Sequence, residues 1–220
     1  MLDTRFPRLP GDIGHPAAFP VPVRRKVVAG AVPREVVRSA ASLRASGLHV
    51  VFVDAVRQLE AEGAGAITTS CGFLVLLQHE LQAAVRVPVV SSSLCLLPAL
   101  LAQAPRVGVL TINAEALGPD YLLAAGVPPA RLPDVAVEGV DPQGAFAGAI
   151  LGNLPQLDRE AAEREVVGAA RRLASREPQL RTVVLECTNM PPYAAAIERA
   201  TGLATKSLLD ARPLLQWADA

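Results

Sequence analysis

The sequence predicts an α/β protein made of two related lobes, and three observations support this fold class. Short β-branched segments alternate with longer segments of helical periodicity along the 220 residues, a pattern typical of strand–helix–strand units with parallel sheets. Several of the strand segments are almost continuously apolar, as expected for strands that are buried on both faces. A weak internal repeat also relates the two halves of the chain.

Seven segments are predicted as strands and five as helices. The predicted strands, in chain order, are 27–28 with its flanks, 66–69, 87–91, 107–111, 135–137, 182–186 and 203–206. The predicted helices are 34–45, 49–62, 73–85, 94–102 and 158–176. The last helix has the clearest limits, because Asp158 is placed as its N-cap and Arg176 lies in its closing turn, where a cation suits the helix dipole.

The internal repeat is centred on two cysteines. Cys71 and Cys187 each stand at the carboxyl end of a predicted strand, and the next predicted strand begins 16 residues later in both copies, from 71 to 87 and from 187 to 203. A rare residue at the same point of both units favours duplication. We therefore predict a first lobe over 1–95, completed by the C-terminal segment 206–220, and a second lobe over 96–205.

The two predicted lobes differ in their first strands. The second lobe begins with the strand 107–111, whose counterpart in the first lobe would fall at or before Met1. The expectation is therefore that the first lobe lacks its opening strand or that the sequence starts after it.

Composition limits the classes of function. Lys+Arg and Asp+Glu both number 21, so no net charge favours a nucleic acid or an acidic membrane surface as partner. The apolar stretch 94–102 is interrupted by Pro98 and is too short to span a membrane, and the first residues lack the apolar core of a signal peptide. Three cysteines cannot form a disulfide scaffold, and Cys95 is expected in the core. These features predict a soluble, cytoplasmic protein.

Several common kinds of site have no support in the sequence. There is no Cys-x-x-Cys or His-Glu-x-x-His, so no metal site is predicted. The segment Gly63-Ala64-Gly65 precedes a strand, whereas a dinucleotide-binding glycine loop follows one. Phosphate-loop and nucleophile-elbow motifs are absent as well. We therefore predict no metal and no cofactor.

Cys71 and Cys187 are the candidate acid/base residues. Ligands of open α/β sheets bind beyond the carboxyl ends of the strands, where N–H donors lower the pKa of a thiol. Two facing lobes would place one thiol on each side of a small carboxylate, so that a thiolate removes a proton from one face and a thiol delivers one to the other. Ser70, Thr188 and Asn189 flank the cysteines and are expected to bind the carboxylate.

Three segments resemble the aspartate/glutamate/hydantoin racemase superfamily, whose members work without pyridoxal phosphate. The segment 2–14 resembles the opening of one branch of that superfamily, 68–74 (Thr-Thr-Ser-Cys-Gly-Phe-Leu) its first cysteine motif, and 186–191 (Glu-Cys-Thr-Asn-Met-Pro) its second. The resemblance covers essentially the whole chain. It implies two pseudosymmetric lobes, each a parallel sheet of about four strands flanked by helices, with the active site between them.

The same resemblance implies roles for individual residues. Cys71 and Cys187 would be the acid/base pair, and Gly72, next to Cys71 in the first motif, would lie with the substrate-binding residues. Asp3 matches an acidic residue that helps to set up the neighbouring thiol in the family. Asn189 departs from the pattern, because some members have histidine there.

The leading functional prediction is a racemase or epimerase of an amino acid or a related small carboxylate, which transfers protons with a thiol/thiolate pair. Three alternatives stay open: a maleate-isomerase-like enzyme with a cysteine nucleophile, a decarboxylase-like enzyme of the same superfamily, and a non-catalytic protein that binds small anions. The predicted partners are a small-molecule carboxylate and, since small two-lobed enzymes often dimerise, a second copy of the chain.

Overall fold

The computed structural model describes residues 1–215, and strands within that range form two parallel sheets. The first sheet pairs β1 (Ile67–Thr68) with β2 (Val89–Val90). The second has the order β4-β3-β5-β6 and consists of β3 (Val107–Thr111), β4 (Val135–Gly139), β5 (Thr182–Leu185) and β6 (Ala204–Lys206). Helices flank both sheets, which confirms the predicted α/β class with parallel sheets.

The first sheet is smaller than the resemblance implied. It contains two strands instead of about four, together with one isolated parallel bridge between Leu2 and Val28. The predicted strand at 27–28 is thereby reduced to a single bridging residue. The N–H of Leu2 donates to the Ser70 hydroxyl oxygen at 3.0 Å. A side-chain contact thus links Leu2 to the segment after β1, and the described strands show no ladder between them.

The five predicted helices are present with changes in length, and the structure adds helices that were not predicted. The α-helices are α1 (Pro33–Val36), α2 (Ala40–Ala45), α3 (Leu48–Ala61), α4 (Gln78–Ala83), α5 (Leu97–Leu101), α6 (Pro119–Ala124), α7 (Ala145–Leu151), α8 (Arg159–Arg176), α9 (Ala194–Thr201) and α10 (Arg212–Leu215). The helices that were not predicted include α6, α7 and α10. The predicted helix 34–45 is divided because Ser39 is extended and its side chain caps α2. Asp158 caps α8 through the N–H of Ala161, as predicted.

Short 3-10 helices also occur in the described residues, and two of them replace the first turns of predicted α-helices. The 3-10 helices are Gly72–Leu77, Ser93–Leu96, Pro129–Asp134, Pro191–Tyr193 and Leu208–Asp210. The predicted helices 73–85 and 94–102 therefore begin as 3-10 turns and continue as α4 and α5.

The internal repeat has a structural counterpart. Ile67 of β1 pairs with Val89, and Thr182 of β5 pairs with Ala204, so the partner lies 22 residues further along the chain in both units (67 to 89 and 182 to 204). A 3-10 helix follows each cysteine in both units. The two units therefore place Cys71 and Cys187 at equivalent positions after a parallel strand.

The C-terminal segment packs against the first sheet. Leu208, Ala211 and Leu214 form an apolar cluster with Ile13 and with Val90 of β2. Part of the predicted completion of the first lobe, 216–220, lies outside the described residues, and the lobe boundaries stay predictions. In the described part of the chain, no helix is long and apolar enough to cross a membrane.

Candidate active site

The two cysteines reach one cavity from different sheets. Cys71 follows β1 and Cys187 follows β5, and both thiols line a cavity of about 20 Å³. Their exposed fractions are 8% and 6%. Parallel strands end at the same edge of a sheet, where the following loops meet a ligand. The structure thus brings together the two residues that the sequence selected as the acid/base pair.

Most of the cavity wall is apolar. The residues outside the two cysteine motifs are Leu2, Phe6, Pro33, Val37, Ile112, Ile150 and Leu151. A volume of 20 Å³ holds about one water molecule. On one side the wall is formed by Pro33 of α1 and Val37 after it, and by Ile150 and Leu151 of α7.

The Cys71 thiol is held mainly in its neutral form in the closed cavity. Burial, followed by the nearby Glu186 carboxyl, raises its pKa to about 12. Backbone N–H groups of Phe73 and Leu74 act in the opposite direction and lower it. These amides begin the 3-10 helix after Cys71 and can stabilise a thiolate there.

The Cys187 thiol has a different neighbour. Burial raises its pKa well above the ordinary range, with Glu186 as the second cause. Its Sγ donates to Oδ1 of Asn189 at 3.7 Å, and Nδ2 of the same amide donates to Asp12. Because the amide nitrogen is held by a carboxylate, its oxygen faces the thiol. The side-chain contact favours the protonated form of Cys187, whereas the backbone N–H of Asn189 acts in the opposite direction and lowers its pKa.

Arg8 and Asp12 anchor this amide. Nη1 of Arg8 lies 3.0 Å from Oδ1 of Asp12, and the same oxygen accepts the N–H of Gly14 at 2.6 Å. The guanidinium also lies 4.5 Å from the centre of the Phe6 ring. Arg8 and Asp12 were not predicted as site residues, and the hydrogen bond between Asp12 and Asn189 joins residues 177 positions apart.

Glu186 is the principal site residue that the sequence analysis missed. Its side chain is fully buried, Oε2 accepts the Thr111 hydroxyl at 2.8 Å, and Oε1 has no hydrogen-bond partner among the described residues. Burial raises its pKa to about 7. The titratable groups that feel its charge are Cys71, Cys187 and Tyr121. A charged residue directly after an apolar strand was the available signal.

Of the other predicted site residues, Ser70, Gly72 and Thr188 line the cavity and Asp3 does not. Ser70 and Thr188 line the cavity, but the Thr188 hydroxyl donates to the Ser70 carbonyl at 2.8 Å and is already engaged. Gly72 lines it as well. Asp3 does not line this cavity, and its carboxylate accepts the N–H of Gly30 at 3.3 Å. The structure therefore does not place the Asp3 carboxylate beside the Cys71 thiol.

No metal centre is evident in the range 1–215: no three of its His, Cys, Asp and Glu residues are grouped as metal ligands would be.

Glu186→Gln is expected to stabilise the protein at pH 8 and to leave its stability nearly unchanged at pH 4.5. The pKa of Glu186 is near 4.5 in the unfolded chain and about 7 in the fold. The folded state therefore holds an extra proton between these values, and its stability falls by up to about 3 kcal/mol as pH rises through them. Thermal unfolding at the two pH values measures the difference.

Glu198→Gln is the matched control for that measurement. Hydrogen bonds from the N–H and the hydroxyl of Thr205 lower the pKa of Glu198, so its replacement should give no gain at pH 8. A Glu186→Gln protein less stable than the parent at pH 8 would show that the carboxylate is stabilised in the fold, contrary to this assignment.

Comparison with known proteins identifies the family. Residues 29–212 match the model of the Asp/Glu/hydantoin racemase family. The chain therefore belongs to that family, as the cysteine motifs predicted.

Solved structures show the same fold. An aspartate racemase homologue from Pyrococcus horikoshii OT3 is 18% identical and matches with a TM-score of 0.53, over 90% of this chain and 85% of the other. A double mutant of arylmalonate decarboxylase in the liganded form is 17% identical, with a TM-score of 0.52 over 82% and 77% of the two chains. At these identities the likeness establishes the fold.

The similar curated proteins are lyases, whereas the sequence analysis predicted an isomerase. A dimethylsulfoniopropionate lyase from Durusdinium sp. clade D is 32% identical over 209 residues, which cover 92% of this chain and 67% of that protein. Dimethylsulfoniopropionate lyase 7 from Emiliania huxleyi (strain CCMP1516) is 30% identical over 92% of this chain. The chain spans 60% of the length of the latter and 54% of lyase 6 from the same alga.

Proposed function

We propose that this protein is a thiol-dependent lyase that removes a proton α to a carboxylate, with dimethylsulfoniopropionate or a related β-sulfonio carboxylate as substrate. The observation that carries the proposal is the unequal setting of two thiols in one cavity. Backbone N–H groups of Phe73 and Leu74 favour the Cys71 thiolate, whereas Cys187 has one such group, the N–H of Asn189, and its thiol also donates to the Asn189 side chain. The lyases that are similar over 92% of the chain support the same class of reaction.

The proposed reaction has one proton transfer and one bond cleavage. The Cys71 thiolate takes the α-proton and becomes a thiol, and the electron pair of the C–H bond forms the Cα=Cβ double bond. The Cβ–S bond breaks, and its electron pair leaves with neutral dimethyl sulfide, so that acrylate remains. Since the leaving group is neutral, no acid is needed to protonate it. Cys187, as a thiol, can donate to the substrate carboxylate while charge develops there.

Formation of the thiolate precedes the proton transfer in this proposal. Burial is the largest cause of the raised pKa of Cys71, so its thiol must first lose its proton to solvent water. The Phe73 and Leu74 amides stabilise the thiolate that results.

The direct test is incubation of the purified, reduced protein with dimethylsulfoniopropionate. We expect acrylate in the proton spectrum and dimethyl sulfide in the headspace in equal amounts. Cys95→Ser is the matched control and should retain the rate, because Cys95 lies outside the cavity and its Sγ contacts Gln78. Absence of both products with the wild-type protein would rule out this substrate.

A two-base racemase is the second candidate. It is favoured by the equivalent positions of Cys71 and Cys187 after their strands. Racemisation requires a base on one face and an acid on the other, and therefore both thiols, whereas the elimination requires one thiolate. A panel of amino acids in D2O discriminates the two, because a racemase exchanges their α-protons and the lyase does not.

A further inference from the structure

The Glu186 carboxyl is buried beside the two thiols, and the proposed proton transfer does not use it. Its exposed fraction is 0%, and Oε1 lacks a hydrogen-bond partner within the described chain. The Thr111 hydroxyl and the N–H of Ile112 act on the carboxyl and lower its pKa, but burial outweighs them. The ion pairs found between residues 1 and 215 do not include it. A buried carboxylate without a cation or a full set of donors is costly. A ligand that brings a positive charge would remove that cost.

The Glu186 carboxyl lies directly against the backbone of Gly72. A Cβ atom at Gly72 would lie 2.2 Å from Oε1 of Glu186 and 2.3 Å from its carbonyl oxygen. The unpaired oxygen therefore lies against the backbone of the first cysteine motif. Glu186, Gly72 and both cysteines line the same cavity. The charge of Glu186 acts on both thiols, so a cation held between the thiols also lies within range of that charge.

The rest of the wall indicates which kind of cation fits. Phe6 and Phe73 line the cavity together with aliphatic side chains. A primary ammonium group needs several hydrogen-bond acceptors, and the other carboxylate of the network, Asp12, is already paired with Arg8 and Asn189. An alkylated sulfonium or ammonium has no N–H to satisfy, and its methyl groups suit an apolar, aromatic wall.

We propose that Glu186 forms an onium subsite, which binds the alkylated cationic group of a carboxylate substrate and selects it over a neutral molecule of the same shape. The identity of the carboxylate rests on the proposed function, but the subsite is a statement about binding and does not depend on turnover. Glu186 is thus assigned as a substrate-binding residue, separate from the Cys71 base.

Calorimetric titration in a Cys71→Ser background tests the subsite without turnover. The ligands are dimethylsulfoniopropionate and 4-methylpentanoate, which replaces the sulfonium by a neutral carbon. At pH 8 the Glu186 carboxyl, with a pKa of about 7, is ionised. We expect the cation to bind at least about tenfold more tightly than its isostere. Glu186→Gln should reduce that ratio to near one, mainly by weakening the cation.

A second isosteric pair and a control variant complete the experiment. The pair 3-(trimethylammonio)propionate and 4,4-dimethylpentanoate tests the same preference for a cation over its neutral isostere, with an ammonium in place of the sulfonium. Glu198→Gln, whose carboxylate binds Thr205 away from the cavity, should keep the preference. Equal binding within both pairs, equal weakening of both ligands by Glu186→Gln, or no binding at all would overturn the subsite. A preserved preference in a wild-type protein that forms no acrylate would count against the proposed lyase reaction alone.

Discussion

Cys71→Ser is expected to lower the rate of acrylate formation by at least about a thousandfold, because a positioned general base contributes roughly 10² to 10⁴ and a serine hydroxyl ionises far less readily than a thiol. Cys187→Ser should lose about tenfold to a hundredfold, since its hydroxyl can still donate a hydrogen bond within the cavity. Both cysteines are buried, and each replacement changes one atom, so the fold should persist. Steady-state rates with dimethylsulfoniopropionate measure the two effects.

The ratio of the steady-state rates of Cys71→Ser and Cys187→Ser distinguishes a one-base from a two-base mechanism. Equal and complete loss in both would indicate a two-base reaction, as in a racemase. A Cys71→Ser protein with substantial activity would exclude Cys71 as the base. Circular dichroism and thermal unfolding of each variant establish that a lost rate does not reflect a lost fold.

Gly72→Ala is expected to destabilise the protein by about 3 kcal/mol and to lower activity at least about a hundredfold. The added Cβ would stand 2.3 Å from the Glu186 carbonyl oxygen, which belongs to the backbone and cannot rotate away. The segment that carries Cys71 must then move away from the backbone of Glu186, which follows β5. Overpacking of this kind costs about 1–3 kcal/mol, and a displacement of about 1 Å at reacting groups costs about a hundredfold in rate.

Gly168→Ala is the matched control for the Gly72 variant. Gly168 lies inside α8, and a Cβ there would meet only the end of the Arg172 side chain, at 3.9 Å. Alanine should therefore stabilise the helix by up to about 1 kcal/mol. Denaturant unfolding compares the two variants. If Gly72→Ala proved as stable and active as Gly168→Ala, the close approach of the two cysteine motifs would be contradicted.

Local sequence signals predicted strand β3 and the start of helix α8, because both depend on residues that are close together in the chain. Strand β3 was predicted with its observed limits because Val107–Thr111 is buried along its whole length and reads as an uninterrupted apolar run. The start of α8 was predictable because Asp158 caps it. The helices α6 and α7 were missed, since each is short and follows a glycine without a side-chain cap. Periodicity is weak over so few residues.

Some residues of the candidate site were predictable from their neighbours in the sequence, whereas contacts between distant parts of the chain were not. Cys71 and Cys187 could be selected because each follows a predicted strand, and the resemblance to the family pointed to the same residues. The contact between Asp12 and Asn189 joins residues 177 positions apart. The fit of Glu186 against Gly72 likewise depends on how the two sheets meet. No local pattern encodes such contacts, so the places of Asp12 and Glu186 in the site emerged only from the structure.

The central claim is that the Cys71 thiolate removes a proton next to a carboxylate, and proton NMR in D2O tests it most directly. Wild-type protein, Cys71→Ser and Cys187→Ser would be incubated with dimethylsulfoniopropionate and, separately, with a panel of amino acids and substituted hydantoins. We predict vinyl signals of acrylate from dimethylsulfoniopropionate with the wild type, a trace with Cys71→Ser and an intermediate amount with Cys187→Ser. Unchanged substrate signals in every wild-type sample, with both thiols reduced, would contradict proton transfer by this site.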